Sequence, residues 1–340
     1  MTPANSAGEQ SATRDPQSIT RQRVFITGAG GFVGKHLLRY LTYNTDWELY
    51  GNARHRPDDP ALAAVNWLAI DLTDHEEAVA SVAQMKPDYV IHLAAQSNVQ
   101  RAFQDPESTI INNIVSELNM LEALRKAAPQ ARIMITGSSE QYGMVQPQYI
   151  PIDEDTPFRP NNPYAVSKVT QDMLALQHFL SYGQKTIRVR PFNHIGPGQT
   201  EHFVTAAFAK QVALIEAGEQ EPVIYVGNLE AERDFTDVRD MVRAYHLAIT
   251  LGEPGEVYNI GYGKGRSIQW ILDTLVGMSS VKVEVRQDPA RMRPSDIPSL
   301  VCNPARFKHR TGWEPEIPIE QTLRDILHYW REEVGGKRGA

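Results

Sequence analysis

Tyr164-Ala165-Val166-Ser167-Lys168 sets a phenol and an ammonium four residues apart, on one face of any helix that contains them. A phenol with a pKa of about 10 is a weak acid-base group at neutral pH. A fixed cation beside it favours the phenolate and draws that value towards the working range. Such a pair recurs by chance in many helices, and its weight here comes from Gly137-Ser138-Ser139-Glu140-Gln141-Tyr142-Gly143, where a buried apolar run ends in hydroxyls and a carboxylate. Ser138 can hydrogen-bond a substrate oxygen while Tyr164 moves the proton. Glu140 is either a further acid-base group or a partner that orients the others.

A second cluster, Gly28-Ala29-Gly30-Gly31-Phe32-Val33-Gly34, spaces Gly28, Gly31 and Gly34 three apart. It follows the β-branched and aromatic run Arg23 to Thr27 and opens an apolar helical pattern at Phe32, Val33, Leu37, Leu38 and Leu41. Glycine lets the turn tighten and lets a pyrophosphate rest on N–H groups at the helix start, so this context points to dinucleotide binding. Sheets that take NAD present an acid to the ribose 2′-hydroxyl near the end of the second strand. Leu49 to Arg56 reads LYGNARHR and has none. Arg54 and Arg56 suit a 2′-phosphate instead, which favours NADP(H), the plain alternative being incidental arginines in a solvated loop. Asp71 is either an adenine contact or a helix cap.

These groups need a scaffold, and the periodicity supplies one. Strands are expected at 23–27, 47–51, 65–70, 88–93, 132–136 and 186–189, with helices at 75–85, 106–126 and 164–181. That alternation is α/β, a Rossmann-type doubly wound parallel sheet. Beyond Arg190 the pattern is irregular, with helices at 204–217, 238–250, 268–278 and 320–334 and strands at 223–226 and 257–260, as in a smaller mixed α/β C-terminal substrate domain. The expected division is residues 23–191 with 236–264 returning to them, and 192–235 with 265–335. Residues 1–22 are polar, lack an apolar core segment, and are expected to be a disordered tail and not a secretory signal.

Composition narrows the partners. The 340 residues carry 34 basic and 41 acidic side chains, a net charge of −7, which argues against a nucleic-acid partner. No run of about 18 apolar residues exists to span a membrane. Cys302 is the sole cysteine, so no disulfide framework or cysteine-rich zinc site is expected, and a reducing cytoplasm fits. Asp234, Asp237 and Asp240 are expected at a helix start, not around a metal. His92, His194 and Cys302 are expected to serve packing.

With His92-Leu93-Ala94-Ala95-Gln96-Ser97 added, the motifs resemble those of the extended short-chain dehydrogenase/reductases, the epimerase/dehydratase family, over about residues 22 to 335. Residues 190–199 (RPFNHIGPGQ), 227–240 (GNLEAERDFTDVRD) and Arg293-Pro294-Ser295-Asp296 are similar to the branch that handles GDP-linked 6-deoxy-hexoses. One activity of that branch is GDP-mannose 4,6-dehydration; another reduces the C4 keto group of GDP-4-keto-6-deoxy-D-mannose. The resemblance implies Ser138, Glu140, Tyr164 and Lys168 as the reacting set. It implies Gly28, Gly31, Phe32, Val33, Gly34, Arg54, Asp71, Leu72, Leu93, Ala94, Ala95, Tyr164 and Lys168 around the cofactor, with Lys168 also holding the nicotinamide ribose. It implies Asn193, Arg233 and Arg293 on the diphosphate, Asp296 on the ribose or guanine, Val204 and Lys210 along the base, and Ser97 at the substrate. A homodimer through residues 106–126 and 164–181 is also implied.

Glu140 stands where the dehydratases keep a glutamate, although serine replaces their preceding threonine, so dehydration stays open. Those enzymes carry a long insertion after the second strand, and only a short segment lies between Gly51 and Val65. The resemblance therefore implies NADPH-dependent reduction to GDP-D-rhamnose, with the dehydratase as alternative. A non-catalytic NADP-binding regulatory protein is the alternative of another class.

Overall fold

The computed structural model describes residues 21–289 and 297–336. The first lobe is built from β1 (Arg23–Thr27), α1 (Phe32–Asn44), β2 (Glu48–Asn52), β3 (Asn66–Leu68), α2 (His75–Met85), β4 (Tyr89–His92), α3 (Val99–Gln104), α4 (Pro106–Ala127), β5 (Arg132–Thr136), α5 (Pro163–Tyr182) and β6 (Lys185–Pro191). There follow β7 (Asn193–Ile195), α6 (Val204–Glu216), β8 (Val223–Val226), β9 (Glu232–Asp237), α7 (Val238–Leu251), β10 (Val257–Ile260), β11 (Gly265–Ser267) and α8 (Ile268–Gly277). The described chain ends through β12 (Glu284–Gln287), β13 (Ser299–Leu300), α9 (Ala305–Thr311) and α10 (Ile319–Gly336).

Seven strands form one parallel sheet in the order β10-β6-β5-β4-β1-β2-β3, which is the doubly wound sheet expected, extended by β10. The central strands β1 (RVFIT), β4 (YVIH) and β5 (RIMIT) read as largely apolar runs because helices cover both faces. On one face α1 and α7 bury Leu37, Leu38, Leu41, Met241 and Ile249; on the other α2, α4 and α5 bury Val82, Met120, Leu121, Leu124 and Ala175. A separate core gathers Phe208 and Val212 of α6, Leu272 and Leu275 of α8, and Leu323 and Trp330 of α10. Small sheets join that lobe: β9 pairs with β7, β11 and β13, and β12 pairs with β8. Among the described residues no helix is long and apolar enough to cross a membrane.

Several short elements escaped the periodicity. The strands β9 (ERDFTD), β11 (GRS) and β12 (EVRQ) are too polar or too short to alternate, and their pairing rests on backbone hydrogen bonds. Asp234 corrects an expectation: it lies in β9, and its buried carboxylate accepts the N–H groups of Tyr262, Gly263 and Cys302 at 2.8, 2.8 and 3.0 Å. Asp237 does start a helix, as the N-cap of α7.

Candidate functional site

Strand order reverses between β1 and β4, and ligands of doubly wound sheets bind at the carboxyl ends of such strands. Gly28 has φ +65°, and a Cβ there would lie 2.8 Å from the Ala94 nitrogen. At Gly34 a Cβ would come within 2.6 Å of the carbonyl oxygens of Gly28 and Ala29. Glycine alone satisfies both approaches. Gly31 donates to the Gly28 carbonyl at 3.0 Å and begins α1 with no side-chain cap. The first-turn N–H groups at Phe32, Val33 and Gly34 are therefore available to a phosphate. Thr27 Oγ1 accepts from Ala94 N–H at 3.2 Å and lies 3.0 Å from His92 Nδ1, fixing the Leu93-Ala94-Ala95 segment beside the loop. His92 is buried and held neutral, its pKa pushed down to about 3 by burial and by Lys168.

The segment after β2 lies against this loop, since a Cβ on Gly30 would sit 2.9 Å from Ala53 Cβ. Arg54 and Arg56 are exposed there and make no hydrogen bond or ion pair among the described residues. Asp71 is exposed and accepts from the backbone and hydroxyl of Thr73, while Asp74 caps α2, so Asp71 is not that helix's cap. Leu72, next to it, is buried. Glycine cradle, uncapped helix start and free guanidinium groups fit a dinucleotide bearing an extra phosphate.

The reacting groups converge from two elements. Asn162 and Pro163 start α5, with Asn162 Oδ1 accepting from Ala165 N–H at 2.8 Å, and this sets Tyr164 and Lys168 on the buried face. Ser138 follows β5 in extended conformation and caps a short 3₁₀ turn, its Oγ accepting from Glu140 N–H at 3.2 Å. The Tyr164 phenol faces the Ser138 hydroxyl, which acts to lower its pKa. Glu140 Oε2 accepts from Asn162 Nδ2 at 3.0 Å, and Lys168 Nζ donates to the Thr136 carbonyl at 2.7 Å.

Electrostatics here run against expectation. Burial raises Tyr164 to about 12; the Ser138 hydroxyl opposes the rise and the Glu140 charge adds to it. Burial lowers Lys168 to about 8, opposed by Glu117. Desolvation outweighs the attraction between the pair because both groups are almost wholly enclosed and the ammonium is engaged by Thr136. At neutral pH Tyr164 is thus a protonated phenol, a donor awaiting a base.

On the opposite wall, Asn193 lies in β7 with its Oδ1 buried and unpaired. His194 stacks on Phe32 with centroids 6.4 Å apart, and His36 Nε2 lies 2.9 Å from the Pro197 carbonyl, so the 190–199 run packs on the helix that carries the glycine loop. Arg233, in β9, donates to the carbonyls of Glu232 and Ile297 at 2.8 and 2.7 Å. Val204 opens α6; Lys210, farther along it, pairs with Glu201 at 2.9 Å and covers the Trp330 ring. Ser97 is exposed, beside Gln96, whose N–H is held by Asn113 Oδ1 at 2.7 Å. Cys302 is buried, and burial raises its thiol well above the usual range. Arg293 and Asp296 lie outside the described residues.

Asn162 and Thr136 are the positioning groups that sequence reasoning passed over. Asn followed by Pro, directly before an apolar helical pattern, is an N-cap signature that could have found the first. A backbone carbonyl such as that of Thr136 leaves no trace in residue type.

A family model described as GDP-mannose 4,6 dehydratase matches residues 25–326. The GDP-6-deoxy-D-mannose reductase of Pseudomonas aeruginosa is 39% identical over 316 residues, covering 92% of this chain and 98% of that protein. The GDP-mannose 4,6-dehydratase of Vibrio cholerae is 29% identical over 352 residues, covering 91% and 93%. Among solved structures, RMD from Pseudomonas aeruginosa complexed with NADPH is similar with a TM-score of 0.79 at 37% identity, covering 92% of this chain and 99% of that one. With its doubly wound sheet and its Ser-Tyr-Lys set, the chain belongs to the GDP-mannose 4,6 dehydratase family of extended short-chain dehydrogenase/reductases.

Proposed function

We propose that this protein is an NADPH-dependent reductase that converts the C4 keto group of GDP-4-keto-6-deoxy-D-mannose to the alcohol of GDP-D-rhamnose. The observation that carries the chemistry is Tyr164, a buried, protonated phenol that faces the Ser138 hydroxyl at the carboxyl edge of the sheet. When bound, NADPH supplies the hydride to C4. Ser138 donates to the keto oxygen, and Tyr164 gives its proton to that oxygen as negative charge develops there. Lys168, held by Thr136, then steadies the phenolate left behind. Glu140, engaged by Asn162, orients the turn.

Reduction is favoured over dehydration by the short connection between β2 and β3. The alignment to the Vibrio cholerae dehydratase takes 352 positions for 91% of this chain, that to the Pseudomonas aeruginosa reductase 316 for 92%, so the dehydratase carries segments that this chain lacks. Arg54 and Arg56 would hold the 2′-phosphate, and Asn193, with its unpaired Oδ1, would meet the sugar nucleotide beside Arg233. In this reading residues 23–191 with 236–264 form the cofactor lobe, and 192–235 with 265–335 the sugar-nucleotide lobe. The protein would work in the cytoplasm as a homodimer joined through α4 and α5.

Purified protein given NADPH and the GDP-4-keto-6-deoxy sugar should lose absorbance from NADPH, and GDP-mannose with NADP should give no reaction. Conversion of GDP-mannose without net cofactor turnover would establish the dehydratase instead.

A further inference from the structure

The turn that carries Ser138 is tied to α5 by a side chain outside the reacting set. Ser138 N–H donates to Gln141 Oε1 at 2.7 Å, and Gln141, fully buried, directs its Nε2 at Asp172 Oδ2, 3.3 Å away. Asp172 lies one turn beyond Lys168 and two beyond Tyr164 on the same helix face. Its carboxylate is clamped by Arg188 Nη1 at 2.9 Å and Arg190 Nε at 2.7 Å, all three side chains being buried. The anchor is therefore fixed, because charge-assisted bonds to two guanidinium groups hold it from β6. Room for Gln141 exists because residue 137 is glycine: a Cβ there would overlap Gln141 Oε1. An amide accepts from the backbone N–H through its oxygen and donates to the carboxylate through its nitrogen, which neither an apolar side chain nor an ionised carboxyl can do.

We infer that Gln141 is a positioning residue, holding the Ser138 hydroxyl in register with Tyr164 by bridging the turn after β5 to Asp172. Its activity arm rests on the reductive reading above; its exchange arm does not.

The test compares the unaltered protein with Gln141→Leu and Gln141→Glu. In Gln141→Leu the Ser138 amide loses its acceptor, so it should exchange hydrogen at least about tenfold faster while amides along α5 keep their protection. The kcat with the keto sugar should fall at least about tenfold with the KM for NADPH within about twofold. Gln141→Glu keeps the acceptor but opposes a carboxylate to Asp172. The new carboxyl faces Asp172, Arg188 and Arg190, with Glu140 on its own turn and Lys168 one helical turn before Asp172. Its protonated form donates to Asp172 as the amide does, so activity lost at about pH 7, where Lys168 is charged in all three proteins, should return towards about pH 6, a recovery missing from the other two proteins.

Unchanged kcat and unchanged Ser138 exchange in Gln141→Leu would overturn the inference. So would joint loss of turnover, dinucleotide binding and α5 protection, or a Gln141→Glu profile with no recovery on acidification, since each marks a merely structural residue. If the unaltered protein turns over no keto sugar, the reductive reading fails, and Ser138 exchange alone decides the bridge: faster supports it, unchanged overturns it.

Discussion

Asn162 Nδ2 donates to Glu140 Oε2 at 3.0 Å while Asn162 Oδ1 accepts from Ala165 N–H at 2.8 Å, so one side chain both starts the helix that bears Tyr164 and holds the carboxylate of the facing turn. The two tasks separate by substitution. Asn162→Ala should lower stability by about 1 kcal/mol through loss of the cap. Asn162→Asp retains the cap but sets like charges together, so urea unfolding should be near that of the parent while kcat falls. Equal kcat in Asn162→Asp and parent would contradict the holding role.

Proton transfer from Tyr164 is predicted to be limited on the alkaline side by Lys168. Tyr164, raised to about 12, stays protonated across the assay range, whereas Lys168, lowered to about 8, loses its charge above that pH. The kcat/KM for the keto sugar should be level below about pH 8 and decline above it, because that ratio reports groups of the free enzyme. Lys168→Met should be slow at every pH and lack the decline. Tyr164→Phe should abolish turnover yet bind NADPH, as fluorescence titration would measure.

Arg54 is expected to select the phosphorylated cofactor. A charge-assisted hydrogen bond is worth about 1.5–3 kcal/mol, so Arg54→Ala should raise the KM for NADPH by about 10–100-fold. The KM for NADH should barely move. Equal weakening for both cofactors would mean that Arg54 supports the loop and does not read the 2′-phosphate.

Much of this arrangement was legible in residue order. Gly28, Gly31 and Gly34 between an apolar strand and an amphipathic helix specified the dinucleotide loop, and the spacing of Tyr164 and Lys168 specified one helix face, because both depend on local geometry. Asp234 was misjudged since an aspartate four residues before a helix, in a run with Asp237 and Asp240, looks like part of its start; its role is set by Tyr262, Gly263 and Cys302, which are distant in sequence. The direction of the Tyr164 shift was missed for a related reason. The sequence holds the charges, but burial, which outweighs them here, emerges only when α5 packs on the sheet.

The outer faces of α4 and α5 expose Ile111 and Leu118, and Val166, Met173 and Leu180, each set repeating every seven residues. Such stripes mark packing surfaces. Leu180 is 72% exposed, and Leu180→Glu combined with Met173→Glu should convert a dimer to a monomer in sedimentation. A parent that already sediments as a monomer would remove α4 and α5 as the interface.

Turnover with NADPH carrying deuterium at the transferable C4 position, followed by mass spectrometry of the sugar nucleotide, tests the central claim most directly. Reduction at the sugar C4 predicts a GDP-deoxyhexose one mass unit heavier than that formed with unlabelled NADPH, in step with NADPH consumed. Unlabelled product, or GDP-mannose turned into a keto sugar while NADPH stays intact, would contradict it.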